Sequence, residues 1–135
     1  MRTAMTIAQW VVRLTGVTLV ALGVLFWTGR ALGLIPLHMA LGAAFVLALL
    51  VLVSLAASAG LRPALVALAT GYALLLPVFG MAQTRLWPGP GHWIVQLVHL
   101  ALGIGGMILA TRLGRHINEH PRVAGVPLRL KSESP

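Results

Sequence analysis

Apolar residues run almost unbroken through four stretches of the chain, Ile7–Thr28, Leu34–Ser58, Pro63–Thr84 and His92–Leu113. As a helix, each is long enough to cross a hydrocarbon core of about 30 Å, which takes about 20 residues. The runs are continuous rather than alternating, so the pattern does not fit the strands of a closed barrel. Between them stand helix breakers. Gly29-Arg30 and Gly33 close the first run and lead to Pro36, a residue suited to the first turn of a new helix. Ala59-Gly60-Leu61-Arg62-Pro63 is a second reversal of this kind, and Trp87-Pro88-Gly89-Pro90-Gly91 cannot continue a helix. The pattern predicts an all-α polytopic membrane protein. A four-transmembrane-helix bundle occupies residues 1–113 and a basic tail occupies 114–135.

Composition strengthens this picture. The 135 residues are 59% apolar and only 9% charged, with a mean hydropathy of +0.94. A soluble domain is about a quarter charged. With no cysteine, disulfides, iron–sulfur clusters and thiolate zinc sites are excluded. The only acidic residues, Glu119 and Glu133, lie near the C-terminus. Carboxylate-driven export and a serine–histidine–acid hydrolase therefore have no chemistry within the spans.

The net charge of +8 is distributed for a membrane rather than for nucleic acid, because basic residues sit singly between apolar runs or in the tail. An even number of spans puts both termini and the Gly60 loop on one side. That side holds Arg2, Arg13, Arg62, Arg112, Arg115, Arg122, Arg129 and Lys131, against Arg30 and Arg85 on the other. Eight against two predicts cytoplasmic N- and C-termini in a bacterial inner membrane. Trp10 falls at the inner interface and Trp27, Trp87 and Trp93 at the outer one, as aromatic belts do. Arg13, one turn inside the first span, reads as snorkelling to the inner interface beside Trp10. The first span carries no convincing cleavage site and reads as retained.

An internal echo supplies candidate chemistry. His38-Met39-Ala40-Leu41-Gly42 matches His99-Leu100-Ala101-Leu102-Gly103, and Thr15-Gly16 is echoed by Thr70-Gly71. This predicts two hairpins related by an axis along the membrane normal. Both histidines fall in the outer half of their spans, with a depth difference of about 6 Å at 1.5 Å per residue. A titratable ring inside a span is rare and points to function. Two imidazoles at similar depth on facing helices are the arrangement that clamps one haem iron axially. Gly42 and Gly103 each lie one turn below their histidine, where a flat macrocycle needs room. Gly16, Gly23, Gly71 and Gly106 are candidates for matching space on other helices, unless they serve ordinary close packing.

Four short spans with one histidine in each of two helices resemble small membrane b-type cytochromes and the haem-carrying membrane anchor subunits of respiratory dehydrogenases. The resemblance covers the four-span region. It implies one haem b held by His38 and His99, with electron exchange to quinone or a redox partner subunit. Families with two or more haems need more membrane histidines than this chain has. Arg30 and Arg85 are the propionate candidates, with Gln83, Thr84 and Gln96 behind them, and lipid-headgroup anchoring is the alternative for the arginines.

The remaining polar residues divide similarly. His92 reads as interfacial, with propionate contact or substitute ligation as the alternative. His116 and His120, with Glu119 between them, have a spacing that can hold zinc, but read more simply as a solvated tail. Pro77 frees the Ala73 carbonyl and predicts a bend, and Tyr72 and Thr70 are candidates for a quinone headgroup or for interhelical hydrogen bonds. Two other functions share much of this sequence logic: a cofactor-free accessory subunit of a larger membrane complex, and a protein binding a chlorophyll-type pigment through histidine. Other membrane subunits or a second copy in a homodimer are the candidate protein partners.

Overall fold

The computed structural model describes residues 2–120. Four helices follow in order: α1 (Arg2–Trp27), α2 (Ile35–Ser58), α3 (Pro63–Ala82) and α4 (His92–Glu119), with a 3₁₀ turn at Leu32–Leu34 before α2. All four are long and apolar enough to cross a membrane, and no strand occurs among the described residues.

The ends of the helices follow local chemistry. Gly29 and Gly60 take φ of 73° and 92°, a region that favours glycine. At the end of α1, the Gly29 amide donates to the Phe26 carbonyl and the Arg30 amide to the Leu25 carbonyl, both at 2.9 Å. At the end of α2, Gly60 donates to Ala57 at 3.1 Å and Leu61 to Ala56 at 3.0 Å. Both are Schellman caps, which satisfy carbonyls that the helix leaves without partners. Pro36 and Pro63 occupy the first turns of α2 and α3, where a missing amide costs nothing. Pro77 lies within α3, which continues through it to Ala82.

Three predicted boundaries move. Helix α1 begins five residues before Ile7, α3 stops two residues before Thr84, and α4 runs six residues beyond Leu113. The extra turns of α4 pack on α1: Leu113 and Ile117 are buried, and a Cβ at Gly114 would collide with the Gln9 side chain. The segment 114–119, read from its charge as tail, is therefore part of the bundle.

Helix α2 packs against all three others and forms the centre. Leu49, Leu52 and Ala56 of α2 meet Val12 of α1 and Ala73 of α3 in the interior, all at 1% exposure or less. Phe45 is wedged between α1 and α4, where a Cβ at Gly16 would stand 3.1 Å from its ring and one at Gly106 2.9 Å. Small residues let backbones approach where helices lack a hydrophobic drive to associate. The exterior is apolar too. Leu68 is 70% exposed, and Val17 and Leu47 are each 65% exposed. Among the described residues no side chain in the buried class is polar or charged. Hydroxyls turn back on their own helices: Thr15 donates to Val11 at 2.6 Å, Ser54 to Leu50 at 3.0 Å and Thr111 to Met107 at 3.0 Å.

Candidate functional site

His38 sits in the first turns of α2 and His99 seven residues into α4, 61 residues apart in sequence. Both stand near the starts of α2 and α4, which lie at the same end of the bundle. Both rings are half-buried. Each Nδ1 is enclosed without a hydrogen-bond partner.

Each ring is held by a phenylalanine from the preceding helix. Phe26 of α1 meets His38 edge to face, with centroids 5.4 Å apart. Phe79 of α3 stacks on His99 at 5.9 Å, with the planes 11° apart. The neighbouring Gly80 lets the α3 backbone approach, since a Cβ there would stand 3.1 Å from His99 Cε1. Two of the chain's three phenylalanines thus contact these two histidines. The pairing repeats the helix-one-to-helix-two logic of the two half-chains. It was not read from sequence, because 12 residues separate Phe26 from His38 and 20 separate Phe79 from His99.

The glycines split into two groups. Gly42 and Gly103 meet nothing within 4 Å, so both leave open space near their histidines. Gly16 and Gly106 do not: Met107 and Phe45 fill the first and Phe45 the second. Both serve close packing rather than matching space. Gly23 and Gly71 also face open space, and Gly71 is on the exterior. The Thr-Gly echo therefore keeps its hydroxyl pattern, Thr15 to Val11 and Thr70 to Val66, while the two glycines differ in surroundings. The hairpins also differ, because α1 packs extensively on α2 whereas α3 and α4 touch less.

Arg30 and Arg85 are exposed in the loops at the histidine end, together with exposed Trp27, Trp87 and Trp93. Gln83 and Gln96 are half-buried and Thr84 is exposed. His92 is tied to its own loop, its Nδ1 donating to the Leu86 carbonyl at 3.3 Å, in keeping with an interfacial position. At the opposite end, the Arg13 guanidinium lies 5.7 Å from the Trp10 ring centroid, a cation–π contact in the predicted neighbourhood.

Tyr72 and Thr70 are engaged within the protein. The Tyr72 hydroxyl donates to the Leu102 carbonyl at 2.7 Å across α3 and α4, and Gly105 makes room for it. Thr70 donates to Val66 at 2.8 Å. These are the interhelical and intrahelical alternatives to a quinone contact. His116 and His120 stack at 4.4 Å, and His120 Nδ1 donates to the His116 carbonyl at 3.1 Å. No group of three or more metal-ligating side chains gathers among the described residues. His116 is also not a solvated tail residue: it is half-buried, and its Nε2 is enclosed without a partner.

Comparison with known proteins finds no matching family model, no matching curated protein and no matching solved structure.

Proposed function

We propose that the chain is an integral membrane electron-transfer protein that holds one haem b between His38 and His99. The observation that carries this reading is that α2 and α4 each bring one half-buried imidazole to the same end of the bundle. The donor set suits haem iron: imidazole is its common axial ligand, and thiolate and carboxylate are both missing from the four helices' apolar stretches. When bound, the haem supplies one-electron chemistry at its iron. The protein's own residues bind, orient and exclude water. His38 and His99 are the ligands, Phe26 and Phe79 fix their ring planes, and Gly42 and Gly103 leave room beside them. Ligation through Nε2 would put the ring proton on Nδ1, which in both histidines is enclosed without a hydrogen-bond partner. Arg30 and Arg85 are the cations at that end for the propionates.

The apolar exterior supports a bilayer as solvent, and the eight-to-two distribution of basic residues supports cytoplasmic termini in a bacterial inner membrane. Quinone or a redox subunit is the electron partner in this reading. An absorbance spectrum of protein purified from membranes tests it. A reduced α-band in the mid-visible is expected, lost or converted in His38→Ala and His99→Ala and kept in His116→Ala. A colourless, correctly folded protein overturns the proposal and leaves the cofactor-free accessory subunit. Pigment extraction separates haem from a chlorophyll-type macrocycle.

A further inference from the structure

A groove of about 560 Å³ opens between the first half of α3 and the second half of α4, toward the end of the bundle opposite His38. These two helices pack less extensively on each other than α1 does on α2. Leu65 and Leu68 line it from α3, and Ile108 and Leu109 from α4. Tyr72 and Gly105 mark its inner end, where the Tyr72 hydroxyl is already spent on the Leu102 carbonyl. Arg112 and His116 also line it, one and two turns beyond Ile108 toward the end of α4. From Gly105 to His116 the helix rises about 16 Å at 1.5 Å per residue. That is about half of a hydrocarbon core of about 30 Å, the depth of one leaflet.

We propose that this groove holds one acyl chain of an anionic phospholipid of the inner leaflet, its phosphate meeting Arg112. The inference rests on the membrane placement above and is independent of the haem. Three features select this occupant. The walls are aliphatic over a leaflet's depth. The polar end is cationic, and Arg presents a planar fork that suits phosphate. No carboxylate lines the groove; among the described residues the only acidic side chain is Glu119, exposed beyond it near the end of α4. Basic pockets between helices on the cytoplasmic side are general sites for acidic lipid headgroups.

The test is native mass spectrometry of the full chain in mild detergent, titrated with phosphatidylglycerol or with phosphatidylcholine of the same acyl chains. One tightly retained phosphatidylglycerol is expected, preferred over phosphatidylcholine. Arg112→Gln should weaken it about fivefold, the scale of one basic residue at a lipid surface. Leu68→Trp, which fills the groove from an exposed position, should weaken both lipids, and Arg115→Gln should leave binding unchanged. A thermal melt confirms that each variant is folded. Equal binding of the two lipids, several equivalent phosphatidylglycerols, or an unaffected Leu68→Trp would overturn the site. Displacement by inorganic phosphate would also overturn it, by showing a headgroup site without a chain. Alkaline extraction of membranes separates the two readings: release of the chain removes the membrane placement, whereas a resident chain without lipid preference removes only the groove.

Discussion

A Cβ at Gly106 would stand 2.9 Å from the Phe45 ring, whereas one at Gly42 would meet nothing within 4 Å. The two glycines therefore predict opposite phenotypes. Gly106→Val pushes Phe45 off α4 and should destabilise the bundle by about 1–3 kcal/mol, the usual cost of overpacking, read as a lowered melting temperature in detergent. Gly42→Leu and Gly103→Leu should leave the melt of the haem-free protein unchanged and lower the haem content of purified protein, because their side chains enter the space beside His38 and His99. Unchanged haem content in both would show that the macrocycle does not lie there. The histidines and glycines themselves were legible in the sequence, since a ring nitrogen inside an apolar run stands out. Which glycines open space was not. That depends on what the facing helix brings, and Gly16 lost its space to Phe45, 29 residues away, and to Met107. The aromatic partners Phe26 and Phe79 were hidden for the same reason.

At the scale of elements, the four helices and three reversals were legible because glycine and proline act locally: the caps at Gly29 and Gly60 and the starts at Pro36 and Pro63 need only their immediate neighbours. The far end of α4 was not. Arg112, Arg115 and His116 lower the hydropathy there, yet charge on one face does not end a helix whose other face is covered. Leu113 and Ile117 stay on that covered face, at 4% and 8% exposure, one turn apart. The helix therefore continues for as long as α1 lies alongside it. Ile117→Ala should lower stability by about 2–4 kcal/mol if this packing holds, since it deletes a buried branched side chain. Asn118→Ala, on an exposed position of the same turn, should change the melt little. Equal melts for both variants would return residues 114–119 to the tail.

For the whole molecule, the apolar exterior bears on the environment and the basic residues bear on the direction of insertion. Leu68, Met81, Val17 and Leu47 are each at least 65% exposed, so water is an unfavourable solvent for every helix face that α2 does not cover. A bilayer accepts these faces but leaves two orientations open, and Arg and Lys near the span ends decide between them. Eight basic residues on the side of the termini against two on the other favour retaining the termini in the cytoplasm. Since the chain has no cysteine, single cysteines report this cleanly. Gly33→Cys lies in the exposed loop before α2, where a Cβ meets nothing within 4 Å, and Thr3→Cys lies on the exposed first turn of α1. A membrane-impermeant maleimide should label Gly33→Cys in intact spheroplasts and Thr3→Cys only after permeabilisation. The reverse pattern would place the histidine end in the cytoplasm and move the basic groove to the opposite leaflet. Labelling of both before permeabilisation would mean that α1 does not cross the membrane, and with it would fall the shared depth of His38 and His99 on which an axial pair depends.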